Sequence, residues 1–86
     1  MNKIVVVTGG AGYIGSHTVV ALSDAGYTPV IIDDFRNAQP WIIDRIEQIT
    51  GHRPAVFDID CQDEVKVAKV FDQYETIFGL IHFAAD

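Results

Sequence analysis

The sequence predicts an α/β fold, a doubly wound parallel sheet whose first four strands lie in the order 3-2-1-4 with three helices. Three observations predict it. Short β-branched runs alternate with segments of helical periodicity, each crossover is long enough to bring the next strand back parallel, and a glycine string joins the first strand to the first helix. Crossovers between parallel strands are right-handed almost without exception, so this alternation leaves few topologies open.

Ile4-Val5-Val6-Val7 is a continuous β-branched run bounded by glycines, the pattern of a strand buried on both faces, and predicts a first strand over 3–8. From Gly12 to Ala25 the apolar residues Ile14, Val19, Ala21, Leu22 and Ala25 fit a first helix, which Gly26 stops. Val30-Ile31-Ile32, closed by two aspartates, marks a second strand over 28–33. Pro40 suits a first helical turn, and Trp41, Ile42, Ile43, Ile46 and Ile49 give a broad apolar face to a second helix over 40–50. A third strand is expected over 54–59, with Pro54 tolerable only at its beginning. Asp60 or Gln62 then caps a third helix in which Val67, Val70, Phe71 and Tyr74 recur, ending near Tyr74. Ile77 to Ala84 makes a fourth strand, with Gly79 as a bulge or a point of close approach. That strand is apolar on both alternating faces and so expects a neighbour. With two helices on one side of the sheet and one on the other, the first strand is expected to stay half bare.

The chain has 86 residues, 49% of them hydrophobic. A domain this small hides only about 60% of its unfolded surface, and its sheet pattern is that of the opening part of a larger domain. Residues 1–86 are therefore expected to be the N-terminal part of a nucleotide-binding domain, with the rest of that domain and a substrate domain absent. Six basic residues against twelve acidic ones give a formal charge of −6, which opposes approach to a polyanion and argues against nucleic acid as a partner. The same charge means that any pyrophosphate must be held by local backbone donors. A lone Cys61 suits a reducing compartment, and the apolar run after Lys3 is too short for a signal peptide, so the cytoplasm is expected. No stretch approaches the roughly 20 apolar residues of a membrane span.

Thr8-Gly9-Gly10-Ala11-Gly12-Tyr13-Ile14-Gly15 contains both G-x-x-G-x-x-G and G-x-G-x-x-G. Gly9 lets the chain turn sharply out of the strand, Gly12 lets the backbone approach a pyrophosphate, and Gly15 lets the helix lie close against the sheet. Free amides of the first helical turn then face the phosphates. A tight turn that binds nothing would use similar residues. The position between strand and helix, and Asp33 at the end of the second strand 18 residues after Gly15, favour a Rossmann-type dinucleotide site. No Gly-Lys-Ser/Thr follows, which excludes a P-loop. Asp33 can accept from both hydroxyls of the adenosine ribose and would repel a 2′-phosphate, so NAD is favoured over NADP. Arg36 nearby could welcome that phosphate and keeps NADP open.

These residues resemble the extended short-chain dehydrogenase/reductase family, and Thr8 to Thr18 is most similar to its UDP-glucose 4-epimerase branch. Beyond the glycine loop the resemblance rests on Asp33 to Asn37, on Asp60, and on Ile81-His82-Phe83-Ala84-Ala85. It implies NAD as cofactor, with the amides of Tyr13 and Ile14 on the pyrophosphate, Asp33 on the adenosine ribose, and Asp34 and Asn37 beside it. It also implies that Asp60 and Cys61 flank the adenine and that Phe83, Ala84 and Ala85 line the path to the nicotinamide. The activity implied for the parent protein is interconversion of UDP-glucose and UDP-galactose by transient oxidation at C4, with a UDP-sugar substrate and a homodimeric assembly. The family's Ser/Thr and Tyr-x-x-x-Lys match no position here, so no catalytic residue is expected in this chain. Asp34 and Ala38 depart from the Asn and Ser that this branch often carries, removing possible hydrogen bonds and adding a charge near the ribose.

A sugar-nucleotide dehydratase of the same family, or a non-catalytic dinucleotide-binding module, would use the same features. His17, His52 and His82 match no metal-ligand spacing, and Asp58, Asp60, Asp63 and Glu64 suit strand ends and helix caps, so no metal is expected.

Overall fold

A computed structural model describes residues 3–36 and 38–83. The β-branched run forms β1 (Ile4–Thr8), and α1 (Tyr13–Asp24), β2 (Thr28–Ile32), α2 (Trp41–Thr50), β3 (Ala55–Phe57), α3 (Glu64–Asp72) and β4 (Ile77–His82) follow. All strand pairs are parallel and the order is β3-β2-β1-β4, the topology expected. Valine and isoleucine fill the two central strands because a strand covered on both faces has no solvent side to leave polar. Val6, Val7, Ile31 and Ile32 are completely buried. Each such side chain contributes about 1.5–3 kcal/mol through its removal from water.

Two cores flank the sheet. Val5, Val7 and Ile31 meet Ala11, Val19, Ile43 and Ile46 on the side of α1 and α2. Val6, Val30 and Ile32 meet Val70 of α3 on the other. The first strand is thus not half bare: Val6 is 0% exposed, because Val70, with Ile4, Ile77 and Tyr74 around it, roofs the centre of that face. Apolar surface is left instead on β4, where Phe78 and Leu80 are 58% and 54% exposed.

Other boundaries shift for local reasons. β3 has three residues, not six, pairing only with Val30, Ile31 and Ile32 of β2. The cap of α3 is Asp63, whose side chain accepts from the Lys66 amide at 3.1 Å, rather than Asp60 or Gln62. Asp60 instead builds the turn ahead of the helix, its carbonyl accepting from the Asp63 amide and its carboxylate from the Gln62 amide. α3 ends at Asp72, with the Tyr74 amide bonded back to Phe71 beyond it. α2 is capped after Thr50 by Gly51, whose φ is a left-handed 79° and whose amide donates to the Glu47 carbonyl. The irregularity expected near Gly79 is present: Ile4 pairs with Ile77 but Val5 with Gly79, so Phe78 is the extra residue. A Cβ at Gly79 would meet open space, which leaves the bulge rather than a close approach as the feature there.

Candidate functional site

The carboxyl ends of the parallel strands bring the glycine loop, Asp33, Asp60–Cys61 and Phe83 to one rim of the sheet. Backbone bonds extend the ladder into these segments: the Gly9 amide donates to Ile32, the Asp33 amide to Phe57, and the Phe83 amide to Thr8, at 2.8, 3.1 and 2.8 Å. Each segment therefore starts from a fixed strand end.

Gly9 has φ 74°, a conformation that costs a residue with a Cβ, and this turns the chain out of β1. Gly12 is the N-cap of α1, donating its amide to the Gly9 carbonyl and accepting the Ser16 amide. Gly15 serves a closer contact than the helix-on-sheet packing expected of it. A Cβ there would lie 2.2 Å from the Gly9 carbonyl oxygen and 2.9 Å from the Gly10 Cα, so α1 rests directly on the loop backbone. Gly10, for which the motif sets no separate task, is constrained as well: a Cβ there would press on Ile31 at 2.9 Å. Tyr13 and Ile14 open the helix with their side chains 82% and 64% exposed, and no side chain caps the helix start. That leaves the positive end of the dipole to an external anion.

Asp33 is buried at 9% exposure and does more than end a strand. Its Oδ2 accepts from the Ala11 amide at 3.1 Å, inside the glycine loop, and its Oδ1 accepts from the Phe35 amide at 2.8 Å. Each carboxylate oxygen keeps acceptor capacity beyond these bonds, so a diol can still be received. Ala11 was not foreseen as part of the site. Phe35, also unforeseen, sits at φ 58°, held by the bond from its amide to Asp33 and by its packing against the α1/α2 core. No sequence signal marks a phenylalanine for that conformation.

Asp34, Arg36 and Asp60 form a second layer. The Arg36 Nη2 lies 2.9 Å from Asp34 and 3.4 Å from Asp60, and the Asp34 carboxylate also accepts from the Arg36 amide. Cys61 donates its thiol to the Ile32 carbonyl at 3.5 Å. Burial pushes the Cys61 thiol up, opposed by its contact with the Gly9 backbone and reinforced by Asp33, Asp34 and Asp60. Cys61 thus lies against the loop and the acidic rim together. Phe83 is 39% exposed beyond β4, next to the contact between Thr8 and His82. Asn37, Ala84 and Ala85 lie outside the described residues.

A cleft of about 550 Å³ adjoins the loop at Ala11, Gly12 and Tyr13 and runs between α1 and α2 past His17, Trp41 and Arg45. It contains neither Asp33 nor Asp60, and the strand-end rim, not this cleft, joins the phosphate-type donors to the carboxylate acceptors. Among the described residues no helix is long and apolar enough to cross a membrane, and no group of three or more His, Cys, Asp or Glu could hold a metal ion. The rim thus brings together an uncapped helix N-terminus and a buried carboxylate with acceptor capacity to spare.

A sequence model of the NAD dependent epimerase/dehydratase family matches residues 5–86. The UDP-glucose 4-epimerase of Dictyostelium discoideum is 46% identical over 80 residues, which cover 93% of this chain and 23% of that protein. The human UDP-glucose 4-epimerase is 42% identical over 90 residues, covering 98% and 26%. A solved UDP-glucose-4-epimerase from Stenotrophomonas maltophila, with bound NAD and formylated UDP-arabinopyranose, superposes with TM-score 0.92 at 39% identity, covering 99% of this chain and 25% of that one. The Bifidobacterium longum UDP-glucose 4-epimerase in complex with NAD+ and UDP gives the same TM-score and identity, covering 98% and 25%. The chain spans about a quarter of the length of the curated relatives it matches.

Proposed function

The chain belongs to the NAD dependent epimerase/dehydratase family, and we propose that it is the NAD-binding opening segment of an enzyme interconverting UDP-glucose and UDP-galactose. The observation that carries this reading is the bond from the Ala11 amide to the buried Asp33 carboxylate. On that reading it joins the loop that would bind phosphate to the acid that would bind ribose.

In this reading the amides of Tyr13 and Ile14 bind the pyrophosphate, with Gly9, Gly12 and Gly15 giving the loop its shape. Asp33 accepts from the ribose hydroxyls, Asp34 and Asn37 lie beside them, and Asp60 and Cys61 flank the adenine. Phe83, Ala84 and Ala85 line the way to the nicotinamide. When bound, NAD supplies the hydride acceptor and donor at C4 of the hexose. The residues of this chain hold and orient, and the acid–base groups belong to the remainder of the protein. The proposed setting is a cytoplasmic homodimer acting in galactose metabolism on a UDP-sugar, with NAD preferred to NADP because Asp33 repels a 2′-phosphate.

A coupled assay with UDP-galactose and NAD tests this. The whole protein is expected to turn over, and residues 1–86 alone to show no turnover above buffer. A whole protein that leaves UDP-galactose unchanged would overturn the activity proposed.

A further inference from the structure

We propose that Arg36 is a latch for cofactor choice, held by Asp34 and Asp60 in a position that withholds its charge from the 2′-phosphate of NADP. The inference rests on the assignment of Asp33 to the adenosine ribose.

Arg36 is the cation described at the carboxyl ends of β2 and β3, three residues past Asp33. An arginine near this point is the usual means of accommodating a 2′-phosphate. Here the guanidinium is already shared: one nitrogen, Nη2, reaches Asp34 at 2.9 Å and Asp60 at 3.4 Å. The tether begins at the backbone, where the Arg36 amide donates to the Asp34 carboxylate at 3.0 Å. Asp34 therefore positions both ends of the residue. With Asp33 beside them, carboxylates outnumber the guanidinium, and the rim stays anionic where a second phosphate would have to enter.

The pairs are exposed, with Arg36 at 68% side-chain accessibility. Exposed pairs contribute little to stability. Their consequence lies in where the fork points and how much charge it has to spare. An arginine binds phosphate through a bidentate, directed contact, so a guanidinium whose Nη2 is drawn to two carboxylates is turned from that purpose until they let it go. Asp34 is the nearer carboxylate and also accepts from the Arg36 amide, while Asp60 accepts the hydrogen bond from Nη2 at 3.4 Å.

The test is titration of NAD and NADP into the whole protein and its Asp34→Asn, Asp34→Glu, Arg36→Leu and Asp34→Asn/Arg36→Leu variants, at low and high salt. Asparagine keeps the acceptor for the Arg36 amide and removes the charge. Asp34→Asn is expected to improve NADP relative to NAD by about tenfold, the scale of one charge-assisted contact. The gain should shrink at high salt, vanish in the double variant, and be absent from Asp34→Glu, which restores the charge. An NADP-to-NAD ratio unmoved by Asp34→Asn would overturn the latch while leaving the cofactor reading intact. A gain that survives Arg36→Leu would also overturn it, because charge count alone would then set the preference. A wild-type protein that binds neither cofactor would overturn the reading of the site and the latch with it.

Discussion

The glycine loop and the acidic rim both grow from the carboxyl ends of the same sheet, but they are held in different ways. The loop is fixed by backbone contacts with no room to spare: Gly15 against the Gly9 carbonyl, Gly10 against Ile31, and the Ala11 amide on a buried carboxylate. The rim is fixed by exposed side chains, Arg36 between Asp34 and Asp60. A close-packed contact fails on the addition of one carbon, whereas a solvated ion pair rearranges at little cost. The loop should thus determine whether a dinucleotide binds at all, and the rim which one.

The largest effect should come from Gly15→Ala. Its Cβ would stand 2.2 Å from a carbonyl oxygen that belongs to the backbone, so the loop and α1 must part. Overpacking of this kind costs about 1–3 kcal/mol, and NAD affinity should fall with it because the amides of Tyr13 and Ile14 move. Denaturant unfolding and cofactor titration of the whole protein measure both. Wild-type stability and affinity in Gly15→Ala would mean that the close contact is not a constraint.

A smaller effect is expected at Cys61, where loop and rim meet. Burial raises its pKa in the folded chain, so the neutral thiol is favoured by folding. That contribution is fully present below the ordinary thiol range and is lost as pH rises through the higher, folded value. The pH profile of alkylation should therefore lie higher in the native protein than in urea, and NAD should slow the reaction. Coincident native and unfolded profiles would remove Cys61 from the buried contact described.

The smallest effect on stability belongs to the rim. Arg36→Leu should change unfolding free energy by only ~0–1 kcal/mol, the usual worth of exposed pairs, while altering the response to NADP. A loss comparable to that of Gly15→Ala would erase the distinction between the two regions.

What could be read from the sequence was what local chemistry demands. The β-branched runs gave β1 and β2 because burial on both faces leaves no other composition, and the glycine string gave the turn because few residues tolerate φ 74°. Asp33 was legible by spacing, but its bond to Ala11 was not, since it joins residues 22 apart through tertiary placement. Arg36 was read as a possible friend of a 2′-phosphate, and only the fold brings Asp60, 24 residues further on, within its reach. The short β3 and the Asp63 cap are not legible because strand length is set by how far the partner β2 pairs, and because neighbouring Asp60, Gln62 and Asp63 are all able to cap. A count of helices leaves the first strand half bare, whereas one well-placed valine on α3, Val70, packs over Val6.

The central claim is that Asp33 holds the loop and receives the adenosine ribose with the same carboxylate. Titration of NAD and NADP into the whole protein carrying Asp33→Asn tests it most directly. Asparagine offers one oxygen where Asp33 uses two, so both cofactors should weaken through the loop, and NAD should weaken further, by about tenfold to a hundredfold, through loss of charged bonds to the diol. The account predicts that the preference for NAD over NADP narrows in this variant. An equal loss for both cofactors, with the preference unchanged, would leave Asp33 as a loop anchor alone and contradict its place on the ribose.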